Sequence, residues 1–290
     1  MELVSTRQVQ KLPMKTICLP SGELMPVLGM GTAGLGEAIA QHESEIAALR
    51  RGIDLGMTLI DTAEIYGEGG AETLIGEAIA NCRSSVFLVS KVAPRNATQQ
   101  GAIAACENSL RRLQTDYLDL YLLHWRGGVP LSETLSAFET LKQSGKIRDY
   151  GVGNFDVKDM EEASALPGGE AIATNQIPYN LQHRNSEWKL LSWCGQRGIP
   201  IMAHSPLLQG ELLKHPKLQS IAQQRGVTVA QVAIAWLLHQ EVIVFPKASS
   251  IAHVEENRAA LDIKLTKEEL SALDVAFPPP SAPIALLDNW

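Results

Sequence analysis

Residues 86–125 read VFLVSKVAPRNATQQGAIAACENSLRRLQTDYLDLYLLHW and contain one complete strand–helix–strand unit. Its two ends, 86–89 and 117–123, are nearly continuous runs of apolar and aromatic residues, which is typical of strands buried on both faces. Between them Ile103, Cys106 and Leu110 recur at helical spacing, which predicts a helix with one apolar face. The stretch therefore predicts two buried strands joined by a helix that covers them.

The same alternation of strand and helix runs through most of the chain. Ile46, Leu49 and Ile53 predict a helix that Gly56 can end, and Thr266 with Glu269 forms a capping box that opens the last clear helix. A full apolar stripe between 229 and 237 predicts a further helix. The eight predicted strands cover residues 26–30, 58–60, 86–89, 117–123, 147–152, 171–177, 199–203 and 242–245.

Eight such alternations without a break in composition predict an α/β fold, a single (β/α)8 TIM barrel. A doubly wound open sheet is the alternative, because helices would cover its strands in the same way. The number of strands, eight, favours the barrel. Ahead of the first barrel strand, residues 16–19 and 23–28 flank Pro20-Ser21-Gly22, which predicts a β-hairpin that plugs the bottom of the barrel.

The two ends of the chain differ from the rest. Residues 1–14 mix charge with Gln and lack the apolar core of a signal peptide, so we expect a flexible leader. Residues 15–290 are then expected to form a single barrel domain that includes the C-terminal tail. Three consecutive prolines from Pro278 exclude a helix there and predict a loop over the surface.

Composition excludes several classes of protein. The 290 residues are 45% hydrophobic and 20% charged, as in globular proteins. A net charge of −7 argues against nucleic acid or an anionic membrane as the partner, and the longest apolar run, 232–238, is far shorter than the roughly 20 residues of a membrane helix. The scattered cysteines form no CxxC pair, so we expect a reducing, cytoplasmic location. No pattern indicates self-association, and a monomer is expected.

Titratable side chains follow neighbouring predicted strands, and the residues after barrel strands converge on one face. Asp61 and Tyr66 follow the second strand, Lys91 the third and His124 the fourth. A tyrosine phenol has a pKa near 10, about the value of the free side chain, and an adjacent ammonium is expected to lower it. A carboxylate keeps that ammonium charged, and a histidine beside the phenol can donate a hydrogen bond to a substrate oxygen. The set suits protonation of a developing alkoxide and requires a source of hydride.

Each of these residues also has a structural interpretation. Asp61 could cap a loop, Lys91 could pair with it for stability, His124 could belong to the core and Tyr66 could be a packing ring. Four residues of these types at matching strand ends favour a joint catalytic role over separate structural ones.

Four ordered motifs carry a resemblance to a known family. They are 61-DTAEIYG-67, 89-VSKV-92, 118-LDLYLLHW-125, and 145-GKIR-148 with 151-GVGNF-155. From about residue 12 to the C-terminus the chain resembles the aldo-keto reductase superfamily. Within it, 245-FPKA-248 and 251-IAHV-254 are most similar to bacterial reductases of methylglyoxal and related α-dicarbonyls, a branch near the diketogluconate reductases.

The resemblance implies NAD(P)H-dependent reduction of aldehydes and ketones to alcohols. Tyr66 would be the general acid, Lys91 and Asp61 would tune it, and His124 would orient the carbonyl, with no metal involved. Trp125 and Ala33 would line the substrate site. Further residues would bind the cofactor: Thr32; Asn154 and Gln176 at the carboxamide; His204 against the nicotinamide; Ser205 and Leu207 along the pyrophosphate; Lys247, Ser249 and His253 at the 2′-phosphate; Glu256 and Asn257 near the adenine.

The chain departs from the family pattern at four positions. Gly153 stands where serine is usual, His204 where tyrosine is usual, and Ala33 where a pocket tryptophan is common. His253 replaces an arginine that would bind a phosphate through two hydrogen bonds and a permanent charge. Because Lys247 remains, NADPH is the expected cofactor, with NADH as an alternative.

Two other functions are compatible with the same fold. The chain could be a cofactor-binding sensor or regulatory subunit with weak turnover, since fold does not fix function. Alternatively, Lys91 could be a Schiff-base nucleophile. Pairing with Asp61 argues against the latter, because it would keep the amine protonated.

Overall fold

Parallel strands close into a barrel in the computed structural model, which describes residues 14–287. Neighbouring strands of the eight-stranded sheet follow chain order. Bridges from Leu28 to Val244 and from Gly31 to Lys247 join its first and last strands, so the predicted barrel is confirmed and the open sheet is wrong. The strands are Thr16–Cys18 (β1), Leu24–Pro26 (β2), Gly29–Gly31 (β3), Leu59–Asp61 (β4), Phe87–Val92 (β5), Leu118–Leu123 (β6), Ile147–Gly153 (β7), Ile172–Pro178 (β8), Ile201–His204 (β9) and Ile243–Val244 (β10), of which β3 to β10 form the barrel.

Helices surround the barrel, and the one helix start and the one helix end that the sequence predicts are confirmed. Thr266 and Glu269 form the expected capping box, and Gly56 lies just past the end of the first helix with φ +84°. The helices are His42–Asp54 (α1), Gly70–Ile79 (α2), Gln99–Leu113 (α3), Leu131–Gln143 (α4), Val157–Ser164 (α5), Leu190–Gly195 (α6), Pro216–Arg225 (α7), Val229–His239 (α8), Ile251–Ala259 (α9) and Lys267–Ala276 (α10), with short 3-10 turns between them.

The interior of the barrel is a packed core of its own. Inward-facing side chains such as Leu59, Phe87 and Leu120 form a buried cluster separate from the layer between strands and helices. Leu19 and Met25, from the antiparallel hairpin of β1 and β2, belong to the same cluster. Because Leu59 and Phe87 begin β4 and β5, the hairpin packs at the amino ends of the strands, and the predicted plug at the bottom is confirmed.

The first barrel strand begins later than the sequence predicts. Residues 26–30 read as one strand, but β2 ends at Pro26 and β3 begins at Gly29. The backbone N–H of Val27 donates to the carbonyl of Lys15 in the hairpin, while its carbonyl accepts from Val244 in the barrel. The segment therefore divides its hydrogen bonds between two sheets, and an apolar run cannot show where one ends.

The C-terminal tail is a loop, as its prolines predict. Residues 278–287 contain no helix or strand, and the side-chain amide of Asn185 holds them by donating to the carbonyl of Ala285 at 2.8 Å. The predicted leader lies outside the described residues except for Met14. No helix among residues 14–287 is long and apolar enough to cross a membrane.

Candidate active site

A cavity of about 700 Å³ lies at the carboxyl ends of the barrel strands and contains most of the predicted site residues. A larger cleft of about 980 Å³, lined by residues of β1 and of the α8 region, has none of them, so the chemistry identifies the smaller one as the site. The smaller cavity is lined by Gly31, Thr32, Ala33, Asp61, Tyr66, His124, Trp125, Asn154, Gln176, His204, Ser205, Pro206, Leu207, Gln209, Gly210, Phe245, Pro246, Lys247 and Leu287.

A buried ion pair lies at the base of this cavity. The ammonium of Lys91 donates to Asp61 Oδ1 at 2.6 Å and to the carbonyl of Thr62 at 2.8 Å, and the side chains of Lys91 and Asp61 are 1% and 3% exposed. Burial, the largest single effect, would lower the pKa of Lys91, but the charge and hydrogen bond of Asp61, together with Tyr66, outweigh it and raise that pKa. A protonated amine has no free electron pair, so the geometry does not support a Schiff base at Lys91.

Tyr66 lies above the pair, in the 3-10 turn Tyr66–Gly69 that follows β4. Its ring centroid is 5.2 Å from Lys91 Nζ. Burial raises the pKa of Tyr66 above its ordinary value, and the opposing effect of the Lys91 ammonium does not cancel it. The Lys91 ammonium lowers this pKa as the sequence predicts, but removing the phenol from water has the larger effect. The phenol is protonated at neutral pH and can act as an acid.

His124 stands edge-on to Tyr66, with ring centroids 5.7 Å apart and planes at 80°. Burial, followed by the positive charge of Lys91 and the nearby His204, lowers the pKa of His124 to about 2. The imidazole is therefore neutral at physiological pH and can donate one hydrogen bond from one nitrogen. Trp125 packs beside it at 4.7 Å and is 40% exposed at the cavity rim.

Gln176 connects the ion pair to the region where the sequence predicts the carboxamide of the nicotinamide. Its Nε2 donates to Asp61 Oδ2 at 2.7 Å, so both carboxylate oxygens of Asp61 have a partner. The hydroxyl of Thr32 donates to the backbone carbonyl of the same aspartate at 2.9 Å. With Nε2 directed at Asp61, the Gln176 carbonyl oxygen is the group left to accept a hydrogen bond from a bound amide.

His204 and Asn154 meet across the cavity. His204 Nε2 lies 2.9 Å from Asn154 Oδ1, and its Nδ1 lies 3.1 Å from the hydroxyl of Ser205. Burial, with Lys91 and His183 as smaller contributors, lowers the pKa of His204 to about 3. Both predicted cofactor residues line the cavity, yet each also has a protein partner there.

The remaining predicted cofactor residues lie at α9, outside the lining of the cavity. Ser250 caps this helix by accepting from the backbone N–H of His253 at 3.3 Å. The helix N-terminus adds positive potential near Lys247, which is exposed at the cavity edge. Around that terminus Ser249 and Glu256 are half-buried, His253 is exposed and Asn257 is only 3% exposed.

Sequence reasoning missed several lining residues. Phe245 and Pro246 follow β10 directly and could have been found by the strand-end rule. Gln209 and Gly210 lie in the turn after β9. Leu287 reaches the cavity from the C-terminal tail, and no local pattern predicts where a loop without repeating structure will lie.

Comparisons with known proteins agree with this geometry. The Aldo/keto reductase family model matches residues 27–276. The chain belongs to this family. The described structure superimposes on an aldo-keto reductase from Klebsiella pneumoniae in complex with NADPH with a TM-score of 0.92 and 49% identity, covering 95% of this chain and 99% of that one. The resemblance predicted from the four motifs is thereby confirmed.

Curated relatives of this aldo-keto reductase include named enzymes. Methylglyoxal reductase YeaE of Escherichia coli (strain K12) is 51% identical over 273 residues, which cover 92% of this chain and 96% of the relative. Glyoxal reductase of Bacillus subtilis (strain 168) is 36% identical over 261 residues, with 89% and 91% covered.

Proposed function

We propose that this aldo-keto reductase reduces aldehydes and ketones to alcohols with NADPH as the hydride donor. The observation that carries the proposal is the placement of Tyr66, His124 and the buried Asp61–Lys91 pair together at one cavity. Family membership and the NADPH complex of the Klebsiella relative support it. The presence of Tyr66 as a proton donor favours catalysis over a role as a cofactor-binding sensor, since a protein that only bound cofactor would have no use for a proton donor.

The four residues have distinct roles in this reaction. Bound NADPH supplies the hydride that the carbonyl carbon accepts. Tyr66 donates its phenolic proton to the carbonyl oxygen, and the ammonium of Lys91 stabilises the phenolate that remains. Asp61 keeps Lys91 protonated and in place. Neutral His124 donates a hydrogen bond to the carbonyl oxygen and so fixes its position beside Tyr66.

The cofactor would lie from the strand ends towards α9. Asn154 and Gln176 would hold the carboxamide, and His204 would pack against the nicotinamide ring. Ser205 with Leu207 would line the pyrophosphate path. Lys247 would bind the 2′-phosphate with the N-terminal residues of α9, where Ser249 and His253 add polar groups. Glu256 and Asn257 would be near the adenine.

Lys247 is expected to decide between NADPH and NADH. Lys247→Met removes a charged hydrogen bond to the 2′-phosphate, so the Kd for NADPH should rise about 10-fold or more. The Kd for NADH, which lacks that phosphate, should stay nearly constant. Both constants can be measured by quenching of protein fluorescence.

The matched control is Lys146→Met, which removes a lysine at the amino end of β7, opposite the site. It should leave both constants unchanged. His253→Arg is the converse change and should lower the Kd for NADPH while leaving the Kd for NADH unchanged. If Lys247→Met lost equal affinity for NADPH and NADH, Lys247 would not be the residue that binds the 2′-phosphate.

We propose small uncharged α-dicarbonyls, such as methylglyoxal, as the substrate class. Trp125, Ala33 and Leu287 give the cavity an apolar side. Its charged lining residues are Asp61, which is paired with Lys91, and Lys247, which we assign to the cofactor. No free cation within the described lining is thus available to bind a substrate carboxylate. The names of the E. coli and B. subtilis relatives support the same class.

This assignment predicts a clear order of substrates. Methylglyoxal and phenylglyoxal should be reduced with kcat/KM at least about 10-fold above that of pyruvate, because a carboxylate would enter the cavity without a partner at a cost of more than about 1.4 kcal/mol. Consumption of NADPH, followed by its absorbance, measures each rate, with NADH in parallel. Faster reduction of pyruvate would exclude the proposed class. Binding of NADPH without turnover of any carbonyl would favour the sensor.

We further propose that the protein is a cytoplasmic monomer. All four cysteines are free, in keeping with a reducing compartment. Sedimentation of the purified protein against its 31.5 kDa chain mass tests the monomer directly.

A further inference from the structure

The side chain of Glu64 ties the segment that carries Tyr66 to the end of strand β5. Glu64 lies two residues before Tyr66, and its Oε1 accepts from the backbone N–H of Ala93 at 2.7 Å. The side-chain amide of Asn96 donates to Oε1 and Oε2 of the same carboxylate at 3.0 Å and 3.1 Å. Because Ala93 directly follows β5, one carboxylate joins the turn after β4 to the turn after β5.

This contact, the Glu64 clamp, sets where Tyr66 stands relative to Lys91. Lys91 lies two residues before Ala93, so each end of the clamp is close in the chain to a catalytic candidate. The backbone N–H of Glu64 also donates to the carbonyl of Lys91, but that hydrogen bond is long at 3.3 Å. The shorter bond to Ala93 is therefore the tighter connection, and it holds the segment that places the Tyr66 ring centroid 5.2 Å from Lys91 Nζ.

The turn after Tyr66 needs such support, because its own backbone is strained. Gly67, Glu68 and Gly69 all have positive φ, at +56°, +53° and +94°. Glycine adopts this left-handed conformation freely, but in Glu68 the Cβ crowds the following carbonyl. A strained residue keeps its conformation only where neighbouring segments hold it. The position of Tyr66 at the start of this turn therefore depends on contacts outside the turn, of which the Glu64 clamp is one.

The turn after β5 supports the His124 segment as well. The backbone N–H of His124 donates to the carbonyl of Val92, the last residue of β5, at 3.0 Å. Pro94 packs against Gly127, where a Cβ would lie 2.6 Å from the Cβ of Pro94. The Glu64 clamp thus holds a turn on which a second catalytic segment rests.

We infer that Glu64 is a positioning residue that holds the Tyr66 hydroxyl where proton transfer to a substrate carbonyl requires it. Glu64 is not among the described residues that line the cavity, so it acts through Tyr66 and not on the substrate. Its role in catalysis rests on the proposed function, whereas the clamp itself belongs to the cofactor-free protein. Because a small misplacement of a reacting group is costly, loss of the clamp should slow turnover more than it weakens cofactor binding.

The kinetics of Glu64→Ala provide the first test. The kcat for methylglyoxal should fall about 10- to 100-fold, the effect of a reacting group displaced by about 1 Å, while the Kd for NADPH changes less than about 2-fold. The solvent deuterium isotope effect on kcat should rise, because transfer of the Tyr66 proton becomes slower. Glu64→Gln should restore most of kcat, since its amide oxygen can still accept from Ala93 and the Asn96 amide can turn to face its nitrogen. An unchanged kcat in Glu64→Ala would overturn the inference.

Glu269→Ala is the matched control. Glu269 accepts from the backbone N–H of Thr266 and from the side chain of Arg225, so its carboxylate also joins two segments, outside the described lining of the cavity. This variant should lose stability but keep the wild-type kcat, and a merely structural role for Glu64 would make Glu64→Ala behave in the same way. In a Tyr66→Phe background, Glu64→Ala should have no further effect on the single-turnover rate. A further loss there would contradict action through Tyr66.

Fluorine-19 NMR of the cofactor-free protein labelled with 3-fluorotyrosine tests the clamp without turnover. Tyr66→Phe identifies the Tyr66 signal, which Glu64→Ala should shift or broaden and Glu269→Ala should leave in place. A Tyr66 signal that stays the same in Glu64→Ala would show that Glu64 does not position this ring. If the wild type reduces no carbonyl, the proposed function fails, while this spectrum still decides whether Glu64 positions Tyr66.

Discussion

We expect Tyr66→Phe to lower kcat/KM for carbonyl reduction by about 10²- to 10⁴-fold, the usual contribution of a general acid. The substitution removes the phenolic proton and leaves the ring beside Lys91 and edge-on to His124. Since the packing is retained, the Kd for NADPH should change less than about 2-fold, as is usual when no hydrogen bond to the ligand is lost. Steady-state kinetics and fluorescence titration separate the two effects.

Tyr121→Phe is the matched control for this prediction. Tyr121 is fully buried in β6, and its hydroxyl has no hydrogen-bond partner among the described residues. Loss of this hydroxyl should leave both kcat/KM and stability close to those of the wild type. If Tyr66→Phe reduced aldehydes at an undiminished rate, another group would have to supply the proton.

The second large effect is expected at Lys91. In Lys91→Met the buried Asp61 carboxylate keeps its hydrogen bond from Gln176 but loses its paired cation. Breaking a buried ion pair in this way lowers the free energy of unfolding by about 3–5 kcal/mol. Turnover should fall too, because the Tyr66 phenolate loses the ammonium that stabilises it. Denaturant unfolding measures the first effect and kinetics the second.

An exposed pair provides the control for the loss of stability. Lys214 and Glu211 form an ion pair whose side chains are 74% and 64% exposed, so Lys214→Met should change stability by less than about 1 kcal/mol. The double variant Asp61→Asn/Lys91→Met removes both charges and should recover much of the stability that Lys91→Met loses. A Lys91→Met protein as stable as the wild type would contradict a buried ion pair at this position.

The barrel and the four catalytic candidates could be predicted because they depend on local patterns. Buried parallel strands require continuous apolar runs, and the residues after such strands must converge. Asp61 ends β4, Lys91 is the last residue but one of β5 and His124 directly follows β6, so predicting the strands also locates these residues to within a few positions. Tyr66 follows in the turn after Asp61.

Contacts between distant segments could not be predicted in this way. Gln176 and Asp61 are 115 residues apart, and their hydrogen bond depends on how the barrel closes. The Asn154–His204 hydrogen bond joins residues that are 50 apart in the chain, and it too depends on how the barrel closes. The pKa of Tyr66 depends on its burial as well as on its charged neighbours, and the sequence shows only the neighbours.

The most direct measurement of the central claim is the fate of deuterium carried at C4 of the NADPH nicotinamide. Purified wild-type protein is given this cofactor with methylglyoxal, and the product is analysed by mass spectrometry and NMR. We predict an alcohol with deuterium on the former carbonyl carbon, and a greatly reduced yield with Tyr66→Phe. Cofactor that binds but remains unoxidised, or an alcohol without deuterium, would contradict hydride transfer at this site.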